Sequence, residues 1–138
     1  MAHWLFKSEP ETWSWAMQKK KGPKGEPWSG VRNHQAKLNM MKMKKGERGF
    51  FYHSGDAREI VGIVEVIGEY RPDPTDETGR FGLVDVKAVR DVPKPVTLAT
   101  VKATEKLKDM VLVKAARLSV QPVKPAEWKI ICAMGGVK

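Results

Sequence analysis

Ile60-Val61-Gly62-Ile63-Val64-Glu65-Val66-Ile67-Gly68-Glu69 is the stretch that decides the fold class. Six of its ten residues are β-branched, which suits a pleated, packed strand better than a helix. Gly62 and Gly68 interrupt it where a bulge can form. A second strand precedes it at Gly49 to His53, aromatic-rich and opened by the turn Lys44-Lys45-Gly46-Glu47. A third follows at Leu83 to Val92, where Val84, Val86 and Ala88 alternate with Leu83, Asp85 and Lys87. Trp4-Leu5-Phe6 reads as a short buried first strand, and Leu118-Ser119-Val120 as a short last one.

Helix signals flank this block. Pro10 to Gln18 opens on Pro-Glu and sets Trp13, Ala16 and Met17 on one face. Asn33 to Met43 carries Ala36, Met40 and Met43 at near-helical spacing. Thr97 is placed to cap a helix to Ala103. Pro125 to Met134 has Pro at its first position, Glu127 at its third and a Gly135-Gly136 stop. Lys20 to Pro27 and Arg71 to Gly79 are rich in Gly, Pro and charge and read as loops. Strands in a block, without strict βαβ alternation, predict an α+β fold: a small mixed β-barrel with peripheral helices.

The chain has 138 residues, the size of one domain spanning 1–138. Its single cysteine, Cys132, excludes an intrachain disulfide. No apolar run approaches a membrane span, and Met1-Ala2-His3-Trp4 opens no signal peptide, so a cytoplasmic or nucleoid-associated monomer is expected. Charge is uneven: residues 1–50 hold eleven Lys/Arg against four acids, 51–100 six against nine, and 101–138 eight against three. The formal net charge is +9. A basic front and tail suit a polyanionic partner through phosphate neutralisation, although scattered lysines also serve as solubility groups.

Catalytic motifs are scarce. The sequence has no Gly-rich phosphate loop and no nucleophile elbow. Its one Cys and three dispersed His (His3, His34, His53) match no zinc spacing, so neither metal nor cofactor is expected. Adjacent His53 and Ser54 would point to opposite faces of a strand, a poor nucleophile–base pair. The candidate acid–base groups are Glu9, His34 and His53, and a binding role is expected in preference to catalysis.

Three segments instead bring polar groups beside aromatic ones. Lys7-Ser8-Glu9 leaves the first apolar strand, Trp28-Ser29-Gly30-Val31-Arg32-Asn33 follows a flexible loop, and Tyr52-His53-Ser54 ends another strand. Aromatic faces stack bases, Asn, Ser and backbone groups bond base edges, and Lys or Arg meets phosphate: the set needed to hold one unstacked nucleobase. Trp28 has two readings, core packing or a stacking face exposed beside Gly30.

These segments resemble signature blocks of the EVE domain family. So do Ile60 to Val66, Pro72-Asp73-Pro74-Thr75 and Arg117 to Val123, and the blocks run in order along the whole chain. The resemblance implies a PUA-like fold, kinship with YTH domains that read methylated adenine in RNA, and recognition of modified bases in DNA such as modified cytosines. It implies a base pocket of Lys7, Ser8, Glu9, Trp28, Gly30, Val31, Asn33, Tyr52, His53 and Ser54. Phosphate contacts are expected from Arg32 and from Lys19, Lys20 and Lys21. His34 stands where many EVE domains have Tyr, Lys124 where a Thr or Ser cap is common, and Phe81 in place of a family tryptophan. An RNA-binding module, or a small-molecule sensor or enzyme using the same cavity, are the alternatives.

Overall fold

The computed structural model describes residues 1–115 and 117–137. In chain order the elements are β1 (His3–Ser8), α1 (Trp15–Lys20), β2 (Glu26–Pro27), α2 (His34–Met41), β3 (Arg48–His53), β4 (Glu59–Pro72), β5 (Gly82–Thr97), α3 (Leu98–Ala103), α4 (Val111–Lys114), β6 (Val120–Val123) and α5 (Pro125–Met134). One six-stranded sheet runs in the order β2-β5-β4-β3-β1-β6. Among the described residues only β1 and β3 pair in parallel; their register sets Phe6 beside Phe51 and Ser8 beside His53. The α+β class expected from the blocked strands is what forms.

Core residues divide by sheet face. Trp4, Phe6, Phe51, Val64 and Val84 pack with Trp15, Trp28, Ala36 and Met40 in one cluster. Leu5, Phe50, Tyr52, Ile63 and Val92 pack with Val101, Leu112 and Ile131 in the other. Alternation along β1 and β3 sends neighbouring residues to opposite clusters. In β4 the rule breaks: Ile60 and Ile63, three residues apart, both join the second cluster, and the register with β5 shifts between Ile60 and Gly62. A bulge there restores the inward aim of Ile60 that strict alternation would reverse.

Several boundaries differ from the sequence expectation for local reasons. The first helix begins at Trp15, not Pro10, because Ser14 caps it by accepting from the Met17 N–H, while Thr12 and Trp13 donate back to the Glu9 carbonyl in a turn. The segment read as a loop to Pro27 ends in β2, which pairs with β5 at Val86 and Asp85. β5 continues past Val92 through Pro93 and Pro95, which fall where the register with β4 jumps from Asp91 to Val96. The last strand is Val120–Val123, and it tolerates Pro122 because β6 is an edge strand paired with β1 alone. Helix α5 matches its expected limits; Lys124 has no acceptor to offer as a cap, and Glu127 takes up the Lys124 N–H at 2.9 Å instead.

At Gly62 the sheet passes close beneath α1. A Cβ there would overlap the indole of Trp15. The Gly62→Ala protein is expected to lose roughly 1–3 kcal/mol by overpacking, read as a lower urea midpoint with an unchanged slope.

Candidate nucleic-acid interface

A cleft of about 420 Å³ opens where β1 ends and the chain passes from β2 toward α2. Its walls are Lys7, Ser8, Glu9, Thr12, Trp13, Glu26, Pro27, Trp28, Ser29, Gly30, Val31, Arg32 and Ser119. The volume falls within the roughly 300–1,000 Å³ range of small-ligand sites.

Trp28 serves as both core residue and cleft wall. It is only 8% exposed, and its ring meets Phe6 at 5.2 Å and Phe51 at 5.6 Å, edge-on to each. Trp13 supplies a second, half-buried aromatic wall, fixed by its indole N–H donating to Gln18 Oε1 at 2.9 Å. Ser8 Oγ donates to the Trp13 carbonyl and closes the segment between them.

The Trp28–Arg32 segment is held from behind by Asp73, whose side chain is fully buried. Asp73 Oδ2 accepts from the Gly30 N–H at 2.9 Å and from Arg32 Nη1 at 3.2 Å. Its Oδ1 accepts from the Thr75 N–H at 2.8 Å and the Thr75 hydroxyl at 2.6 Å. Gly30 has φ +82°, a conformation that glycine adopts without steric cost. Burial pushes the Asp73 carboxyl up, but hydrogen bonds from Thr75, Gly30 and Arg32 outweigh it and bring the pKa down to about 2.

Of the expected pocket residues, Lys7, Ser8, Glu9, Trp28, Gly30 and Val31 share the cleft, joined by Arg32. Asn33, Tyr52, His53 and Ser54 are not among its lining residues. Asn33 Oδ1 is spent capping α2, accepting from the Ala36 N–H at 2.9 Å. Tyr52 belongs to the opposite cluster, one residue out of phase with Phe51. His53 Nε2 accepts from the Trp15 N–H at 3.0 Å. Ser54 is tied to the cleft through its backbone, its N–H donating to the Ser8 carbonyl at 2.9 Å.

The basic residues are distributed with partners. Arg32 Nη1 and Nη2 reach Asp73 and Thr75, so this side chain braces the cleft as well as bordering it. Lys19 pairs with Asp91 at 2.9 Å, Lys21 with Glu26 at 3.4 Å, and Lys20 is exposed in the last turn of α1. The Lys7 ammonium lies 5.6 Å from the Tyr52 ring centre, and burial lowers its pKa. His34 is exposed beside Phe81, with ring centres 5.2 Å apart, and Arg32 and Lys37 approach the same ring. Among the described residues no group of three or more His, Cys, Asp or Glu could hold a metal ion. Nor is any helix long and apolar enough to cross a membrane.

Thr12, Trp13, Glu26, Pro27, Ser29 and Ser119 line the cleft outside the set expected from sequence, and Asp73 stands behind it. The sequence pattern puts Trp13 on a helix face. Glu26 was hidden in a Gly/Pro-rich segment. Asp73-Pro74-Thr75 is the pattern of an Asx turn, and that signal would have marked Asp73 as a bonded carboxylate.

The EVE domain model matches residues 2–134. Human thymocyte nuclear protein 1 is 31% identical over 96% of this chain and 73% of its own length. Protein Atu2648 from Agrobacterium tumefaciens has a crystal structure that superposes with a TM-score of 0.96 at 52% identity, covering 99% of this chain and 94% of that one. The crystal structure of human THYN1 in complex with 5-methylcytosine-containing DNA gives a TM-score of 0.92 at 30% identity, covering 100% and 99%.

Two outcomes follow from this geometry. Asp73→Ala leaves the Gly30 N–H and the Arg32 guanidinium without their acceptor, and is expected to cost roughly 2–3 kcal/mol in urea unfolding. His53 is set to respond to mild acid. Burial lowers its pKa below 6.5, with Glu59 and Glu11 opposing, and its Nε2 accepts a hydrogen bond only when unprotonated. The unfolded chain therefore binds the proton more readily. The His53 contribution is complete above pH 6.5 and is lost as pH falls through the lower folded value. His53→Gln is expected to flatten the fall of melting temperature between pH 7.5 and 5.5 measured by circular dichroism, with the remaining slope owed in part to His3, whose pKa burial also lowers.

Proposed function

Because this chain belongs to the EVE domain family, we propose that it binds nucleic acid and takes one unstacked, modified base into the cleft between Trp28 and Trp13. The fold is PUA-like. The observation that carries the proposal is the cleft itself, two tryptophans and a polar strand end meeting on a protein of formal net charge +9. A base removed from its stack costs a few kcal/mol, and stacking on an aromatic side chain returns roughly 1–3 kcal/mol. The human relative, solved with 5-methylcytosine-containing DNA, supports a modified cytosine as the first base to test.

Binding without catalysis is part of the proposal. A general acid or base needs a titratable group within reach of the reacting atom. His53 holds Trp15, and His34 stands against Phe81 outside the cleft lining. Glu9 is exposed at the rim. Lys19, Lys20 and Lys21, at the end of α1, would meet phosphate.

Fluorescence anisotropy against 5-methylcytosine duplexes, unmodified duplexes and matched RNA tests this. Affinity is expected to fall with salt at a log–log slope of about −0.9 per phosphate neutralised, and to flatten when the three lysines are replaced by Ala. Trp13→Ala is expected to weaken binding to the modified duplex by about tenfold or more while sparing unmodified DNA, in line with the loss of one stacking face. Affinity independent of salt would point to a small neutral ligand. Preference for RNA over both duplexes would reassign the partner.

A further inference from the structure

Several donors on the cleft wall are engaged within the protein: Trp13 Nε1 with Gln18, the Ser8 hydroxyl with the Trp13 carbonyl, the Gly30 N–H with Asp73, and Arg32 with Asp73 and Thr75. The wall also carries two carboxylates, Glu9 and Glu26. Glu9 is exposed on a turn, whereas Glu26 is half-buried on a strand.

The backbone aims Glu26 at the aromatic wall. β2 pairs with β5 at Glu26, and the ladder continues as the Trp28 N–H donates to the Val84 carbonyl at 2.8 Å. In extended chain, residues two apart share a face, so Glu26 stands beside Trp28. A Cβ on the preceding Gly25 would run into the Val86 carbonyl, which shows how closely this strand is pressed on its neighbour. Lys21 lies 3.4 Å from the carboxylate on its open side.

We propose that Glu26 is the specificity-determining acceptor of the cleft, selecting a base that presents an exocyclic amino group. This rests on the base-binding proposal above and deepens it. A carboxylate accepts from the N4 amino group of cytosine and repels the O4 carbonyl of thymine or uracil. The same negative charge keeps phosphate out of the cleft and directs the backbone toward the lysines of α1.

5-Methylcytosine and thymine make a matched pair, since they share the ring and its methyl group and differ at the amino edge. Binding is measured on three duplexes of one sequence, carrying 5-methylcytosine opposite guanine, thymine opposite adenine, or an abasic site at the test position. Wild-type protein and the Glu26→Gln and Glu105→Gln variants are compared by their ratio of affinities for the first two duplexes, so that the duplexes' own pairing energies cancel. Melting curves check that each variant is folded. Glu26→Gln is expected to lower the 5-methylcytosine-to-thymine ratio by roughly tenfold or more, as loss of a specific base contact does. Glu105→Gln, at an exposed position outside the cleft lining, should leave the ratio within about twofold, the scale of a surface change far from the contact. An unchanged ratio in Glu26→Gln, with both proteins still favouring 5-methylcytosine over the abasic duplex, overturns the role of Glu26 and leaves base binding standing. Equal affinity of the wild type for the abasic and modified duplexes overturns the base-binding proposal, and this one with it.

Discussion

The parallel register of β1 and β3 sets Phe6 directly beside Phe51, and Trp28 packs edge-on against both rings. Most of the cleft depends on that contact. Three aromatic side chains bury large apolar areas in one place and add edge-to-face attraction. The result is a rigid seat for a tryptophan whose remaining surface opens to a cleft. Trp15 extends the same group, meeting Phe51 at 5.2 Å and lying over the Cβ-free strand at Gly62. A base stacked against Trp28 would be stacked against the core, with little side-chain freedom left to lose on binding.

Around this seat, polar bonds hold the chain segments that pass through it. Asp73 reaches from the end of β4 to the Gly30–Arg32 segment, and Ser8 ties the end of β1 to Trp13. His53 ties the end of β3 to the first residue of α1. Each bond runs from a strand end to a loop or to the start of a helix, so the sheet fixes segments that lie outside its own ladder. An irregular segment placed this way keeps its backbone polar groups paired and its geometry constant.

Much of this was legible from the residues. Helix α5 was readable at both ends because Pro125, Glu127 and Gly135 act on their own backbone and need no distant partner. Thr97 capped α3 as its residue type predicts. The cleft's Lys7-Ser8-Glu9 and Trp28–Arg32 segments were visible as polar groups beside aromatics. Asn33, Tyr52, His53 and Ser54 were grouped with them by neighbourhood in sequence, and tertiary contacts separated them. Asn33 had the chemistry of a cap as much as of a base contact, and α2 claimed it. Tyr52 was carried to the far cluster by strand alternation once Phe51 took the near one. Trp13 went the other way: the start of α1 at Trp15 freed it to stand as a wall.

By itself the sequence determined the properties that act locally: the long central strands, the cap of α3 and the limits of α5, and that a basic chain carries aromatics beside polar strand ends. These follow from periodicity, side-chain branching and charge, which need no knowledge of the partner. Only the tertiary structure decided which aromatics share a cleft, which carboxylate braces it and which faces it. Those outcomes rest on the parallel pairing of β1 with β3, on the bulges in β4 and on the docking of β2 beside β5. Each is a contact between residues distant in sequence, and a shift of one residue in any of these registers would turn a different set of side chains toward the cleft.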